Sequence, residues 1–237
     1  MSFSVAQKAH TADDNRRNFK FFVGPNESPD IVVKTDAAPD FTDPEYYRTC
    51  GWNLNNTSYC PGSVLRHVTH DIDGINKPWL YFGMLFSSFC WHREDIYLAS
   101  INYMHEGEGK EWYGIPGSKA KAFRSTMEKL MKLRIKEVPD LEHHITTQIS
   151  PSTLLQKNVP VYKVIQEAGQ FIVTFPEAYH CGFSYGFNCG EAVNFATSDW
   201  IPHGSQSVVD YRMKGKKEVF SFDRLLFTLT YHCLLYT

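Results

Sequence analysis

Two rhythms of apolar and polar positions run through this chain of 237 residues. In the first, apolar and aromatic residues crowd into runs of strand length bounded by Gly, Asn and Asp. Pro78–Phe86, Tyr97–Met104 and Glu111–Ile115 form one group of three successive strands. Val161–Ile165, Gln170–Phe175, Tyr179–Phe183 and Glu191–Ala196 form a second group. The other rhythm lies between and after them. Phe123, Met127, Leu130, Met131 and Leu133 recur near helical spacing and predict a surface helix over Ser118–Lys136. Ser150-Pro151 predicts another helix, with Ser150 as N-cap and Pro151 in the first turn. Two further helices are expected over Ser205–Lys217 and from Ser221 to about Tyr231. A short helix capped by Ser63 and a turn at Asp71–Gly74 precede the first strand group. Many short strands with one helical interruption predict a mainly β protein with α insertions, an antiparallel double-sheet barrel of the jelly-roll type.

The first 30 residues are polar, and Phe19–Val23 is the only part expected to be ordered, as an edge strand or as packing on the main domain. Ile31–Cys50 reads as an entry loop with one strand. Composition adds a core: 43% of residues are hydrophobic and 15% aromatic. The net charge of −2 excludes a general polycation for nucleic acid, and no nucleic-acid motif is present. Arg212–Lys217 is the strongest basic run and reads first as a solvated helix face. Leu225–Tyr236, the longest apolar stretch without charge, falls short of the roughly 20 residues of a membrane span. Six scattered cysteines without a Cys-x-x-Cys point to a reducing compartment and buried, unpaired thiols.

The chemistry concentrates at Cys90-Trp91-His92-Arg93-Glu94 and at His180. If the aromatic run Tyr81–Tyr97 is extended throughout, His92 and Glu94 leave one face side by side. The run ending at Phe175-Pro176 turns and delivers His180. Two histidines and a carboxylate make a facial set with coordination positions left open, which suits non-haem Fe(II). A lone His-x-Glu is more often a shared polar face than a metal site. Here the pair is enclosed by Phe86, Phe89, Trp91 and Tyr97, where a bare charge is costly. Neither the His-Glu-x-x-His of zinc proteases nor the Pro-Cys-x-x-Cys of zinc deaminases is present. Lys110 is either a turn lysine or a cation aimed into the barrel at an anionic co-substrate, from the wall opposite the ligands. Asn102 would add a hydrogen bond from the same wall as Lys110.

Gly51-Trp52-Asn53-Leu54-Asn55-Asn56, Pro78–Met84, Phe86–His92, Ser100–His105, Trp112–Pro116, Phe175–His180 and Glu191–Phe195 together resemble the JmjC domain of histone lysine demethylases. They look most like the jumonji/ARID branch, which acts on lysine 4 of histone H3. The resemblance covers roughly residues 50 to 223. It implies a double-stranded β-helix, cupin-like, and an Fe(II)- and 2-oxoglutarate-dependent dioxygenase using O2. His92, Glu94 and His180 match the iron ligands. Lys110, Asn102 and Phe89 match the 2-oxoglutarate site, Tyr81 matches a tyrosine bordering the methyl-lysine, and Asn194 matches a polar position near metal and substrate. The implied partners are a methylated histone H3 tail and chromatin, in the nucleus. The implied organisation is an N-terminal extension over 1–49, a catalytic barrel over 50–203 with a helical insert at 117–157, and a helical segment over 204–237.

The chain departs from the family in Ile31–Asp36, where a tyrosine that also binds the co-substrate carboxylate is missing, and at Ser184 and Tyr185. No JmjN-like segment, ARID, PHD finger or cysteine-rich zinc module is recognisable. Two further readings therefore stay open: a catalytically impaired remnant that binds chromatin, and a protein hydroxylase with a non-histone substrate.

Overall fold

A computed structural model describes residues 4–8, 19–21, 44–131 and 148–235. Ten strands form two antiparallel sheets among these residues. The larger sheet has the order β2 (Phe19–Phe21), β1 (Ser4–Lys8), β8 (Gln170–Thr174), β5 (Ala99–Gly107), β10 (Asn188–Phe195) and β3 (Trp79–Gly83). The smaller has the order β4 (Ser88–His92), β9 (Tyr179–Ser184), β6 (Lys110–Ile115) and β7 (Tyr162–Gln166). From β3 to β10 the chain passes back and forth between the sheets, only β6 and β7 following each other in one sheet, which is the jelly-roll architecture the strand pattern predicts.

Helices close the outer faces. The insert α3 (Ala120–Leu130) and α4 (Pro151–Gln156) cover the smaller sheet, burying Phe123, Met127 and Leu154 against Trp91, Ile115 and Tyr179. Trp91 Nε1 donates to the Ile149 carbonyl at 2.9 Å, so even the buried indole is satisfied. The short helix α2 (Leu54–Thr57), preceded by α1 (Pro44–Thr49), packs Leu54 on Ile101 and Val193 of the larger sheet. A third apolar cluster joins Leu65, Ile96 and Leu98 to Trp200, Tyr211, Phe222 and Leu225 of the C-terminal helices α5 (Ile201–Lys214) and α6 (Phe222–Leu235).

Several expectations change. Ser4–Lys8 is a strand paired with β8 over five residues, so Phe19–Phe21 is not the only ordered part of the N-terminal segment. The expected helix after Ser63 is a 3-10 turn, Val64–His67, and Ser63 makes no capping bond; its hydroxyl is buried without a partner. Ser150 does cap its helix, accepting from Thr153 N. The insert helix begins at Ala120, one 3-10 turn after Pro116, rather than at Ser118. It ends at Leu130, and the rest of its expected span, 132–136, lies outside the described residues. So does most of the entry loop expected over Ile31–Cys50, whose described end, Pro44–Thr49, is a helix instead. The first C-terminal helix starts four residues early, at Ile201 with Pro202 in its first turn.

The basic run is not a plain solvated face, because Lys216 turns inward to Asp95 Oδ1 at 3.0 Å. Among the described cysteines all are free, but only Cys181 and Cys189 are buried; Cys50, Cys60 and Cys90 are partly exposed. No described helix is long and apolar enough to cross a membrane.

Candidate active site

The run Tyr81–Tyr97 is not one extended stretch. It is an edge strand β3, a turn through Phe86 at φ 63°, the strand β4 ending at His92, and a 3-10 turn Asp95–Tyr97. Glu94 caps that turn with extended backbone, so it still faces the same way as His92. The turn is strained: Ile96 and Tyr97 lie at φ 42° and 58°, a region that a β-branched residue rarely occupies. Helix α5 holds it there. Ile96 N donates to Tyr211 Oη at 3.0 Å, and Tyr97 Oη donates to Asp210 Oδ2 at 2.5 Å. Trp200, just before the helix, donates Nε1 to the Ile96 carbonyl at 2.9 Å.

His180 reaches the same point as the second residue of β9, delivered by the turn that follows β8. Its backbone pairs directly with that of His92. The intervening turn bends at Glu177, φ 64°, whose carboxylate meets His203 Nδ1 at 2.8 Å.

One ligand atom from each of His92, Glu94 and His180 lies within 4.8 Å of the others. The tautomers follow from elementary chemistry. His92 Nδ1 lies 2.8 Å from the Cys90 carbonyl and His180 Nδ1 3.3 Å from that of Ala178, and a carbonyl can only accept. Both Nδ1 atoms therefore carry hydrogen, and in neutral rings both Nε2 atoms present lone pairs. His180 Nε2 sits 3.2 Å from Glu94 Oε1, so two acceptors face each other across a gap that only a cation reconciles. Burial pushes His92 down to about 4, with His180 acting the same way, so this ring is neutral near pH 7. Burial would raise Glu94, but with the imidazoles protonated in acid the hydrogen bond and charge of His180, the charge of His92 and the bond from Asn194 hold it at about 2. The donor set of two nitrogens and one carboxylate oxygen, with preset tautomers, fits a first-row divalent metal such as Fe(II).

Asn194 secures the carboxylate: its Nδ2 donates to Glu94 Oε2 at 3.0 Å and to the Ala99 carbonyl at 3.1 Å. A cavity of about 170 Å³ opens beside the three ligands, lined also by Tyr81, Phe89, Asn102, Lys110 and Asn194. Every site residue expected from sequence is thus in one pocket. Lys110 is 8% exposed, and burial lowers its pKa while the Cys189 thiol acts in the opposite sense. Among the described residues no carboxylate pairs with it.

The expected walls need correction. Lys110 is on the smaller sheet, the one that carries both histidines, because β6 pairs with β9. Gly114 opposes His180, so Lys110 lies four residues along the same strand, roughly 13 Å away. Asn102 comes instead from β5 of the larger sheet. The tight link Gly107–Gly109 folds the two strands over each other, with Gly107 at φ 97° and no room for a side chain against Phe187 O.

Phe89 stacks edge-on to Trp112 with ring centroids 4.7 Å apart, and a side chain at Gly182 would collide with its ring. Tyr81 stands at the mouth, 43% exposed. Ser184 is buried as the β9 partner of Lys110, and the Tyr185 hydroxyl donates to Glu111.

Sequence reasoning passed over Trp112 and Gln166. The indole lines the pocket and bonds to Gln166 Oε1 at 2.9 Å. Nothing local in the sequence singles out Gln166, since its partners lie 54 and 64 positions away.

Comparison with known proteins matches this geometry. Residues 79–195 match the model of the JmjC domain, described as a hydroxylase. Lysine-specific demethylase JMJ17 of Arabidopsis thaliana is 51% identical over 179 residues, 75% of this chain and 15% of that protein. Lysine-specific demethylase 5B of Gallus gallus is 50% identical over 182 residues, 77% of this chain and 12% of that protein. Lysine-specific demethylase JMJ703 of Oryza sativa subsp. japonica is 48% identical over 202 residues, 85% of this chain. The chain spans about one sixth or less of the length of these relatives. With its jelly-roll strands, its His-Glu-His centre and this match, the chain belongs to the JmjC-domain family.

Proposed function

We propose that the chain is an Fe(II)- and 2-oxoglutarate-dependent dioxygenase that removes methyl groups from histone lysine, with lysine 4 of histone H3 as the favoured substrate. One observation carries the reading: two histidines and a glutamate placed to hold a metal share one small cavity with a buried lysine that no described carboxylate pairs with. His92, Glu94 and His180 would hold the metal. With 2-oxoglutarate and O2, iron supplies oxidation of an N-methyl group, whose hydroxymethyl product releases formaldehyde and the demethylated amine.

The protein's own part is placement. Asn194 fixes the carboxylate of Glu94, and the Cys90 and Ala178 carbonyls fix the two rings. Lys110 and Asn102 would bind the far carboxylate of 2-oxoglutarate as ammonium and amide donors. Phe89 and Trp112 wall that site and exclude water. Tyr81, at the mouth, would border the methyl-lysine. Catalysis is assigned to residues 50–203, with 1–49 as an extension and 204–237 as a support. A nuclear, chromatin-bound setting and a methylated histone H3 tail as partner follow from the substrate.

The test is incubation with Fe(II), 2-oxoglutarate, ascorbate and trimethyl-lysine histone peptides. Formaldehyde and stepwise loss of methyl mass are expected, and His92→Ala should abolish both. Bound iron without turnover on any histone peptide overturns the reading. The family's description as a hydroxylase favours one second reading, hydroxylation of a non-histone protein. That product gains an oxygen and keeps its methyl count.

A further inference from the structure

Gln166, the last residue of β7, is fully buried, and both ends of its amide are occupied. Its Nε2 donates to Asn102 Oδ1 at 3.0 Å, and also meets the carbonyls of Asn102 at 3.3 Å and Gln170 at 3.1 Å. Its Oε1 accepts from Trp112 Nε1 at 2.9 Å. An amide can usually be turned end for end without changing its shape, so its polarity must come from its partners. Here the chain of partners starts at an atom that cannot be reversed. An indole nitrogen only donates. It therefore fixes the oxygen end of Gln166, which leaves the NH2 end facing Asn102 and consumes the oxygen of Asn102.

The amide of Asn102 is then left with its NH2 end for the pocket, where no described residue accepts from Nδ2. Lys110 lines the same cavity. A side chain added at Gly190 would meet Lys110 Nζ at 3.6 Å and Asn102 Oδ1 at 3.7 Å, so the oxygen edge of the amide is the one near the ammonium at β10, and the NH2 lies on the other edge. A reversed Asn102 would present an oxygen instead, which repels an anion and suits a ligand with a donor.

We infer that Gln166 is a positioning residue that sets the polarity of the pocket's closed end: through the relay Trp112, Gln166, Asn102, it keeps the Asn102 amide donor free for the cavity that Lys110 also lines and so selects a carboxylate. This deepens the proposed function and rests on it for the identity of the ligand, 2-oxoglutarate.

The experiment is titration calorimetry on the Mn(II)-loaded protein with 2-oxoglutarate and with 2-oxobutyrate, which lacks the far carboxylate. Gln166→Met releases Asn102 while keeping an apolar filler of similar length. It should weaken 2-oxoglutarate by roughly tenfold, the size of one hydrogen bond to a charged group. The affinities for Mn(II) and 2-oxobutyrate should not change. In an Asn102→Ala background the same substitution should have no effect on 2-oxoglutarate, because its lever is gone.

Unchanged 2-oxoglutarate affinity in Gln166→Met overturns the inference, as does an equal loss for 2-oxobutyrate or a full loss in the Asn102→Ala background. Should Gln166→Met fail to fold, Gln166→Leu removes the same amide with a shorter filler and predicts the same pattern; Trp112→Phe would not serve, because the Asn102 and Gln170 carbonyls still hold the NH2 end of Gln166. If the native protein takes up neither keto acid, the proposed function fails instead. The polarity is then read directly by neutron diffraction, and an Asn102 oxygen turned to the pocket overturns the relay.

Discussion

The two ends of the pocket are built on opposite plans. At the closed end Lys110, Asn102 and Gln166 are buried, and the amides are tied into a continuous relay. The mouth is formed by β3, an edge strand on which Trp79, Leu80, Tyr81 and Phe82 are 43–70% exposed, followed by an exposed Met84-Leu85-Phe86 turn. Polar groups are enclosed where a small anion would be held, and apolar groups are exposed where a larger chain would arrive. The difference follows from the cost of error. A buried amide in the wrong orientation leaves unpaired atoms, so its surroundings must determine it fully. A solvated aromatic can tolerate several arrangements, and a row of them on an unpaired edge is a surface for association.

If the enclosed region is as tightly determined as this contrast requires, loss of one supporting hydrogen bond should be costly at the metal centre. Asn194→Ala removes the donor to Glu94 Oε2 while leaving all three ligands in place. Metal affinity, measured by Mn(II) or Co(II) titration, should fall about 10- to 100-fold, the usual effect of losing a partner that orients a ligand. An affinity within twofold of the native protein would show that Glu94 is held by the strained turn alone, and the contrast between the two ends would collapse.

That support was only partly legible in the text. His92, Glu94, His180, Lys110 and Asn102 stand out because charged or polar residues inside aromatic runs need a reason to be there, and the strand rhythm places each on a wall. Which wall is another matter. Strand alternation gives the face of a residue but not its sheet, so Lys110 was expected across from the histidines and stands on their own sheet, with Asn102 facing it. Gln166 was overlooked because its function lies in partners that are 54 and 64 positions away in sequence. The strain at Ile96-Tyr97 was invisible for the same reason: nothing local favours it, and helix α5, more than 100 residues later, imposes it.

The link from α5 offers a smaller test of the same idea, at the edge of the enclosed region. Burial would raise the Asp210 carboxyl, but the bonds from Tyr97 and Gln206 and the charges of Arg124 and Arg93 hold it below its ordinary value. A depressed carboxylate adds stability above its unfolded value of about 3.9 and loses it as pH falls through the lower folded value. Tyr97→Phe deletes the 2.5 Å bond and raises the folded value. The variant should be about 1 to 2 kcal/mol less stable at pH 7. The gap between variant and native protein should narrow below about pH 4, where both forms of Asp210 become protonated. Urea melts at pH 7 and pH 3 measure it. A gap independent of pH would mean that the hydroxyl acts by packing alone.

The mouth should respond least. Phe82 is 70% exposed on β3, and its backbone pairs with Cys189 through bonds that do not involve the ring. Phe82→Ser removes aromatic surface that the fold does not bury, so stability should change by less than about 0.5 kcal/mol. Mn(II) affinity should not change at all, since the ring does not line the cavity. What should change is self-association: an exposed apolar edge strand is a template for pairing, and a serine there lowers the gain from covering it. Light scattering of native protein and variant at matched concentration reads that difference, while melting curves read the stability. A loss of several kcal/mol would show that the edge is bound into the fold as firmly as the closed end, and that the two ends of the pocket obey one plan after all.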